Sequence, residues 1–176
     1  MIMDRTLLFS DGQAVTATAP STNVVDLGAT GTVYGASAPI VRDIGHGNDV
    51  ELAVSVTQSF NNLTSLTISI ETDDNAAFSS ATTVYTSPAY TLAELATGAK
   101  YLLPDTLPAG VNERYVRLRY TVAGTAPTTG KITAGVVAGR HHGDVEHESG
   151  LCALVYFKWL VDLDLGAGQL ERDGVP

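Results

Sequence analysis

Four apolar residues, Val116, Leu118, Tyr120 and Val122, alternate with Tyr115, Arg117, Arg119 and Thr121. A period of two places each set on its own face of an extended strand, whereas a helix would scatter both sets around its axis. The segment therefore reads as a half-buried antiparallel strand, followed by a Gly/Pro/Thr loop and a second apolar stretch, Ile132 to Val137. The same period returns in Val50, Leu52, Val54 and Val56, and again in Leu66, Ile68 and Ile70. A chain built this way must bury one face of each strand against another sheet.

Turn signals separate the remaining extended stretches. Thr6 to Phe9 is a short strand closed by a turn at Ser10-Asp11-Gly12, and Ala14 to Ala19 and Val24 to Leu27 are the next two. Gly28 to Gly47 is rich in glycine and reads as loop. Asp73-Asp74-Asn75 ends the Leu66–Ile70 strand, because short polar side chains compete for backbone hydrogen bonds. Thr83 to Thr86 and Ala99 to Leu103 are strands stopped by Pro88 and Pro104. Thr91-Leu92-Ala93-Glu94 has the form of a capping box, with Gly98 as the stop, and predicts one short helix. Eight or nine strands over about 138 residues predict an all-β antiparallel sandwich, and eight is the strand count of a jelly roll.

Charge narrows the function classes. The chain carries 19 acidic and 10 basic side chains, a net of -9. Such a chain repels phosphate backbones, so no nucleic-acid partner is expected. The longest apolar run, Leu151 to Phe157, has seven residues against the roughly 20 of a membrane span, so no membrane partner is expected either. Met1 to Arg5 lacks the basic start and apolar run of a secretion signal. One cysteine, Cys152, excludes an internal disulfide framework. Composition shifts after Gly139: residues 1–140 hold 8 basic and 12 acidic side chains, and residues 141–176 hold 2 and 7. The expected division is a body over 1–139, then a linker and C-terminal arm over 140–176.

No residue pattern predicts catalysis. His141-His142-Gly143-Asp144-Val145-Glu146-His147-Glu148 is metal-like in composition, but it lacks His-Glu-x-x-His spacing and reads as a solvated linker. Asp73 and Asp74 lack the spacing of a calcium loop and read as a turn cap. His46, between two glycines, has no Gly-x-Ser-x-Gly elbow to serve, and Cys152 reads as a small buried hydrophobe. Asn62-Leu63-Thr64 is a lone sequon, and neither Gly28-x-x-Gly31 nor Gly45-x-Gly47 is followed by the lysine and helix of a phosphate loop. No enzyme, metal or cofactor is expected. The candidate partner contacts are Arg5 in the N-terminal segment, Arg117 and Arg119 on one strand face, and Phe157 and Trp159 in the arm. Two arginines on one sheet face can dock carboxylates, and an aromatic strand outside the core must find cover.

Several phrases together resemble one family. Leu107-Pro108-Ala109-Gly110, Arg114 to Val122 and Gly130-Lys131-Ile132-Thr133-Ala134-Gly135 look like the capsid cement, or decoration, proteins of tailed bacteriophages. The resemblance is to the jelly-roll cement family first described in a Bordetella phage. Leu66 to Asp74 with Phe78-Ser79-Ser80 matches the middle of that pattern, and Asp4 to Asp11 its start. It spans residues 1–139, and this chain continues for some 37 residues more. It implies a structural virion protein, assembled in the host cytoplasm, on the outer surface of an icosahedral shell. The implied partners are the major capsid protein and further copies of itself, as a homodimer or homotrimer. The alternative is a carbohydrate-binding β-sandwich module of a virion fibre, with Tyr34, Tyr85, Tyr90 and Tyr101 as its aromatics.

Overall fold

A computed structural model describes residues 2–47, 49–100 and 102–138. Among them run nine strands: β1 (Ile2–Ala14), β2 (Ala19–Pro20), β3 (Val25–Asp26), β4 (Leu52–Gln58), β5 (Leu63–Asp73), β6 (Thr82–Thr86), β7 (Tyr90–Thr91), β8 (Tyr115–Gly124) and β9 (Lys131–Ala138). They form two antiparallel sheets. One has the order β1-β9-β4, and the other the order β2-β8-β5-β6, with β3 also on β8 and β7 also on β5. Apolar residues of both sheets join in one core, so the fold is the expected all-β antiparallel sandwich.

The alternating positions explain the pairing. Ile70 lies opposite Leu118, Ile68 opposite Tyr120 and Leu66 opposite Val122. All but the half-buried Val122 are buried. A slip of one residue would turn every one of these side chains to the other face, so burial fixes the register. Each fully buried large apolar side chain contributes about 1.5–3 kcal/mol. Inside this core the Tyr120 hydroxyl meets the Ser10 hydroxyl at 2.8 Å, a bond between the two sheets. Burial pushes the Tyr120 phenol far above its ordinary pKa, with the Ser10 bond acting in the opposite direction.

Three stretches differ from expectation. Ser10-Asp11-Gly12 does not end a strand: β1 runs through it, with register shifts against β9 between Leu8 and Ser10 and between Ser10 and Gln13. Ser10 is buried, and Gly12 takes φ +56°, a left-handed value that lets the strand carry extra residues as bulges. The stretch from Ala14 to Ala19 is not a strand of its own: Ala14 ends β1, Ala19 opens β2, and Thr16, Ala17 and Thr18 between them face solvent. Ala99 to Leu103 is not a regular strand. Chain from Gly98 to Leu107 follows the outer edge of β4, bonding at its two ends: Gly98 N–H to Val56 O and Leu107 N–H to Val50 O. Its isolated bridges, Ser55 to Lys100 and Glu51 to Thr106, enclose more residues on this side than on β4, so it bows and no ladder forms.

The predicted helix is a single 3-10 turn, Leu92–Leu95. Its capping contact is present, since Glu94 Oε2 accepts the Thr91 N–H and the Thr91 hydroxyl, both at 2.7 Å. Gly28 to Gly47 holds no strand or helix among its described residues. Residues 139–176, which include the whole of the expected linker and arm over 140–176, lie outside the described residues.

Candidate interaction surfaces

The outer face of β8 already has a carboxylate. Register places Glu71 of β5 directly opposite Arg117. Arg117 Nε donates to Glu71 Oε2 at 2.7 Å, and Arg119 Nε lies 3.8 Å from Glu71 Oε1. The Arg117 guanidinium also stacks over the Phe78 ring, 3.9 Å from its centroid. Phe78, at φ +52°, is buried beneath it. The two arginines therefore differ: the Arg117 side chain is 14% exposed and internally engaged, and Arg119 keeps 41% of its surface in solvent. Pattern alone placed both on one face; the carboxylate between them depends on a register 46 residues away.

Arg5 is exposed on the stretch of β1 between its pairings at Met3 and Leu8. It lines an open cleft of about 600 Å³ with Thr6, Leu8, Asp11, Thr22, Asn23 and Val24. Here Asp4 folds the backbone locally, its Oδ1 accepting the Thr6 N–H and hydroxyl at 2.8 Å. Phe157 and Trp159 lie outside the described residues, as do Cys152 and the 141–148 histidine cluster. Among the described residues, no three His, Cys, Asp or Glu side chains come together as metal ligands. Asp73 is a turn cap: its carboxylate accepts the Asn75 and Ser80 N–H groups, both at 2.8 Å. Burial opposes its ionisation, but these hydrogen bonds win and hold its pKa below the ordinary value. Of the tyrosines considered as a sugar platform, Tyr85 and Tyr90 are half-buried against the core, and Tyr101 is outside the described residues.

Among the described residues, the most exposed apolar group sits on the Gly28–Gly47 loop; sequence reading named Tyr34 there only as an aromatic of a sugar platform and missed Val33, Ile40 and Val41. Tyr34 is fully exposed, Val41 is 93% exposed, and Val33 and Ile40 are more than half exposed. The signal was present in the sequence as large apolar residues among glycines, without the periodicity that marks an element. The neck of this loop is tied down. Arg42 donates to Leu27 O, Gly28 O and Glu113 O at 2.8, 3.1 and 3.3 Å. Asp43 accepts the Gly45 N–H through Oδ1 and the Gly110 N–H through Oδ2, at 3.2 and 2.9 Å. Ile44 N–H donates to Val111 O. Gly45 comes so close to Pro108 that a Cβ there would stand 1.8 Å from the Pro108 carbonyl oxygen. The Pro108-Ala109-Gly110 phrase is thus the seat of the loop.

Beside the neck, Arg114 grips Asp26 with two bonds, Nε to Oδ1 at 2.8 Å and Nη2 to Oδ2 at 2.7 Å. That guanidinium first, and the Gly28 N–H second, lower the Asp26 pKa to about 2. A folded value below the unfolded one of about 3.9 gives stability that is complete above pH 4 and is lost as pH falls toward 2. The pair is 43% exposed on both sides, so its stabilising effect is small. The expected result in a carboxyl NMR titration is an Asp26 midpoint near 2, rising toward the ordinary carboxylate range in Arg114→Gln. An unchanged midpoint in that variant would assign the shift to the Gly28 amide instead.

These features define an antiparallel β-sandwich whose charged strand face is internally paired and whose clamped loop carries apolar residues into solvent. The chain belongs to the Bbp16 family, whose model matches residues 9–136, from within β1 to within β9. The family name marks a Bordetella phage protein. No curated protein matches the chain.

Proposed function

We propose that the protein is a capsid cement protein, which binds the outer surface of an icosahedral phage shell and bridges its major capsid proteins. The observation that carries this reading is the match of residues 9–136 to a phage family on a sandwich body. Such a role is structural: it calls for no catalysis and no cofactor, nucleic acid or membrane. It needs a stiff body, because a strap that deforms transmits no load. The interlocked core, the covered edge of β4 and the Glu71–Arg117 pair supply that stiffness. Many copies act together, each through an interface of about 1,600 Å² in the standard case, and self-association as a dimer or trimer would add avidity. Arg5 and Arg119 offer exposed cationic contacts, and the segment holding Phe157 and Trp159 is the arm.

The test compares intact particles with particles stripped of this protein. Stripped particles are expected to release DNA at lower temperature and lower osmotic stress, with recovery on adding the purified chain back. Equal resistance with and without the protein would end the cement reading. Deleting residues 140–176 isolates the arm: unchanged shell binding and oligomer size would remove it from the contact set.

A further inference from the structure

We propose that the Gly28–Gly47 loop is a docking element for an apolar pocket rimmed by lysine and arginine on another protein. The proposal rests on the cement reading and adds to it the chemistry that the shell partner presents. From Ala29 to Val41 the loop carries no charged residue, and it holds Val33, Tyr34, Ile40 and Val41 in solvent. Tyrosine is among the residues that dominate binding hot spots, because a rigid ring buries a large area at little entropic cost. The Arg42 and Asp43 bonds fix the two legs of the loop to Leu27, Gly28, Gly110 and Glu113 before any partner arrives. A loop anchored in advance loses less freedom on binding.

The surrounding charge decides the occupant. Strand pairing places Asp73 beside Tyr115 and Asp26 beside the same residue. Backbone bonds join Val50 to Leu107 and Ile44 to Val111. Segments 26–51, 73–74 and 105–114 therefore meet at the loop end of the sandwich. They carry eight carboxylates, Asp26, Asp43, Asp49, Glu51, Asp73, Asp74, Asp105 and Glu113, and two guanidinium groups, Arg42 and Arg114, a formal charge of -6. The other described residues carry four acidic and five basic side chains, a formal +1. The crowding registers at Asp74, whose pKa is raised by its contact with Asp73, by burial and by the charges of Asp73 and Glu113. A second copy presented through this end would bring -6 against -6. A pocket with a basic rim is instead drawn to it and oriented by it.

The experiment titrates shells stripped of their own copies with three proteins: wild type, Tyr34→Ser/Val41→Ser and Asp49→Lys/Asp74→Lys. Bound protein is read by co-sedimentation at low and high salt, and thermal unfolding checks that each variant is folded. Wild-type affinity is expected to fall as salt shortens the Debye length from about 10 Å to about 3 Å. The loop-tip variant is expected to lose roughly tenfold or more in affinity. The charge-reversed variant is expected to lose roughly tenfold and to flatten the salt dependence. A folded loop-tip variant that binds like wild type overturns the proposal and leaves the cement reading standing. So does a wild-type dimer that the loop-tip variant loses, because the occupant is then a second copy. Wild type that binds no shell removes the cement reading and this partner with it.

Discussion

Alanine at position 71 is expected to lower the stability of the body by about 3–5 kcal/mol, the cost of removing one partner of a buried ion pair. Glu71 is buried, and its two oxygens face Arg117 and Arg119. Without the carboxylate, the Arg117 guanidinium stays over Phe78, 14% exposed, with its ion-pair partner gone. Urea unfolding of Glu71→Ala measures the loss. Glu71→Ala combined with Arg117→Met is expected to recover most of it, since removing both charges also removes the desolvation penalty. A single-variant loss under about 1 kcal/mol would place the pair among ordinary surface salt bridges.

Gly45→Ala is expected to cost about 3 kcal/mol, through a backbone clash and the hydrogen bonds it breaks. The added methyl would sit 1.8 Å from Pro108 O and 2.8 Å from Ala109 N, atoms that no rotamer change can move away. The neck must then lift from its seat, which opens the Asp43–Gly110 and Ile44–Val111 bonds. Amide exchange at Ile44 and Gly110 is expected to accelerate with the fall in melting temperature. Gly31→Ala is the control: its position is open and its backbone is not left-handed, so stability should hold within about 0.5 kcal/mol. Equal behaviour of the two variants would show that the neck is not a clamp.

Much of the sandwich was legible because its strands obey a local rule. Val116, Leu118 and Tyr120 alternate, and so do Leu66, Ile68 and Ile70, and each set is buried as its period requires. Ser10-Asp11-Gly12 misled because a turn and a bulge use the same residues, and only the distant partners separate them: the ladder with β9, which continues from Ser10 to Ala14, and the buried bond from Ser10 to Tyr120. Ala99 to Leu103 misled for a related reason. Leu102 and Leu103 are buried as strand residues would be, but their segment bows along β4 without forming a ladder. The surfaces were less legible. Arg117 and Arg119 were found by face, yet the internal carboxylate was hidden in the pairing of β5 with β8. The loop was recognised as a loop with one candidate aromatic, Tyr34, but its clamp was hidden, because Arg42 and Asp43 bond to chain some 70 residues away.

The pairing of β1 with β9 has a consequence for how the protein is made. Ile2 pairs with Ala138 and Ala14 with Lys131, so the sheet that starts with the first residues is finished by the last strand of the body. On a ribosome, β1 emerges long before β9 and has no partner in its own sheet while it waits. β4 cannot substitute, since it too bonds to β9. Such non-local closure places the body among slow folders, with times of milliseconds to seconds. The bulges of β1 then guard a nascent chain as well as a finished one: a kinked, unpaired strand is a poor template for its neighbours on a polysome. The proposed cement role, which calls for many copies made at once, would make that protection count most before any assembly surface exists.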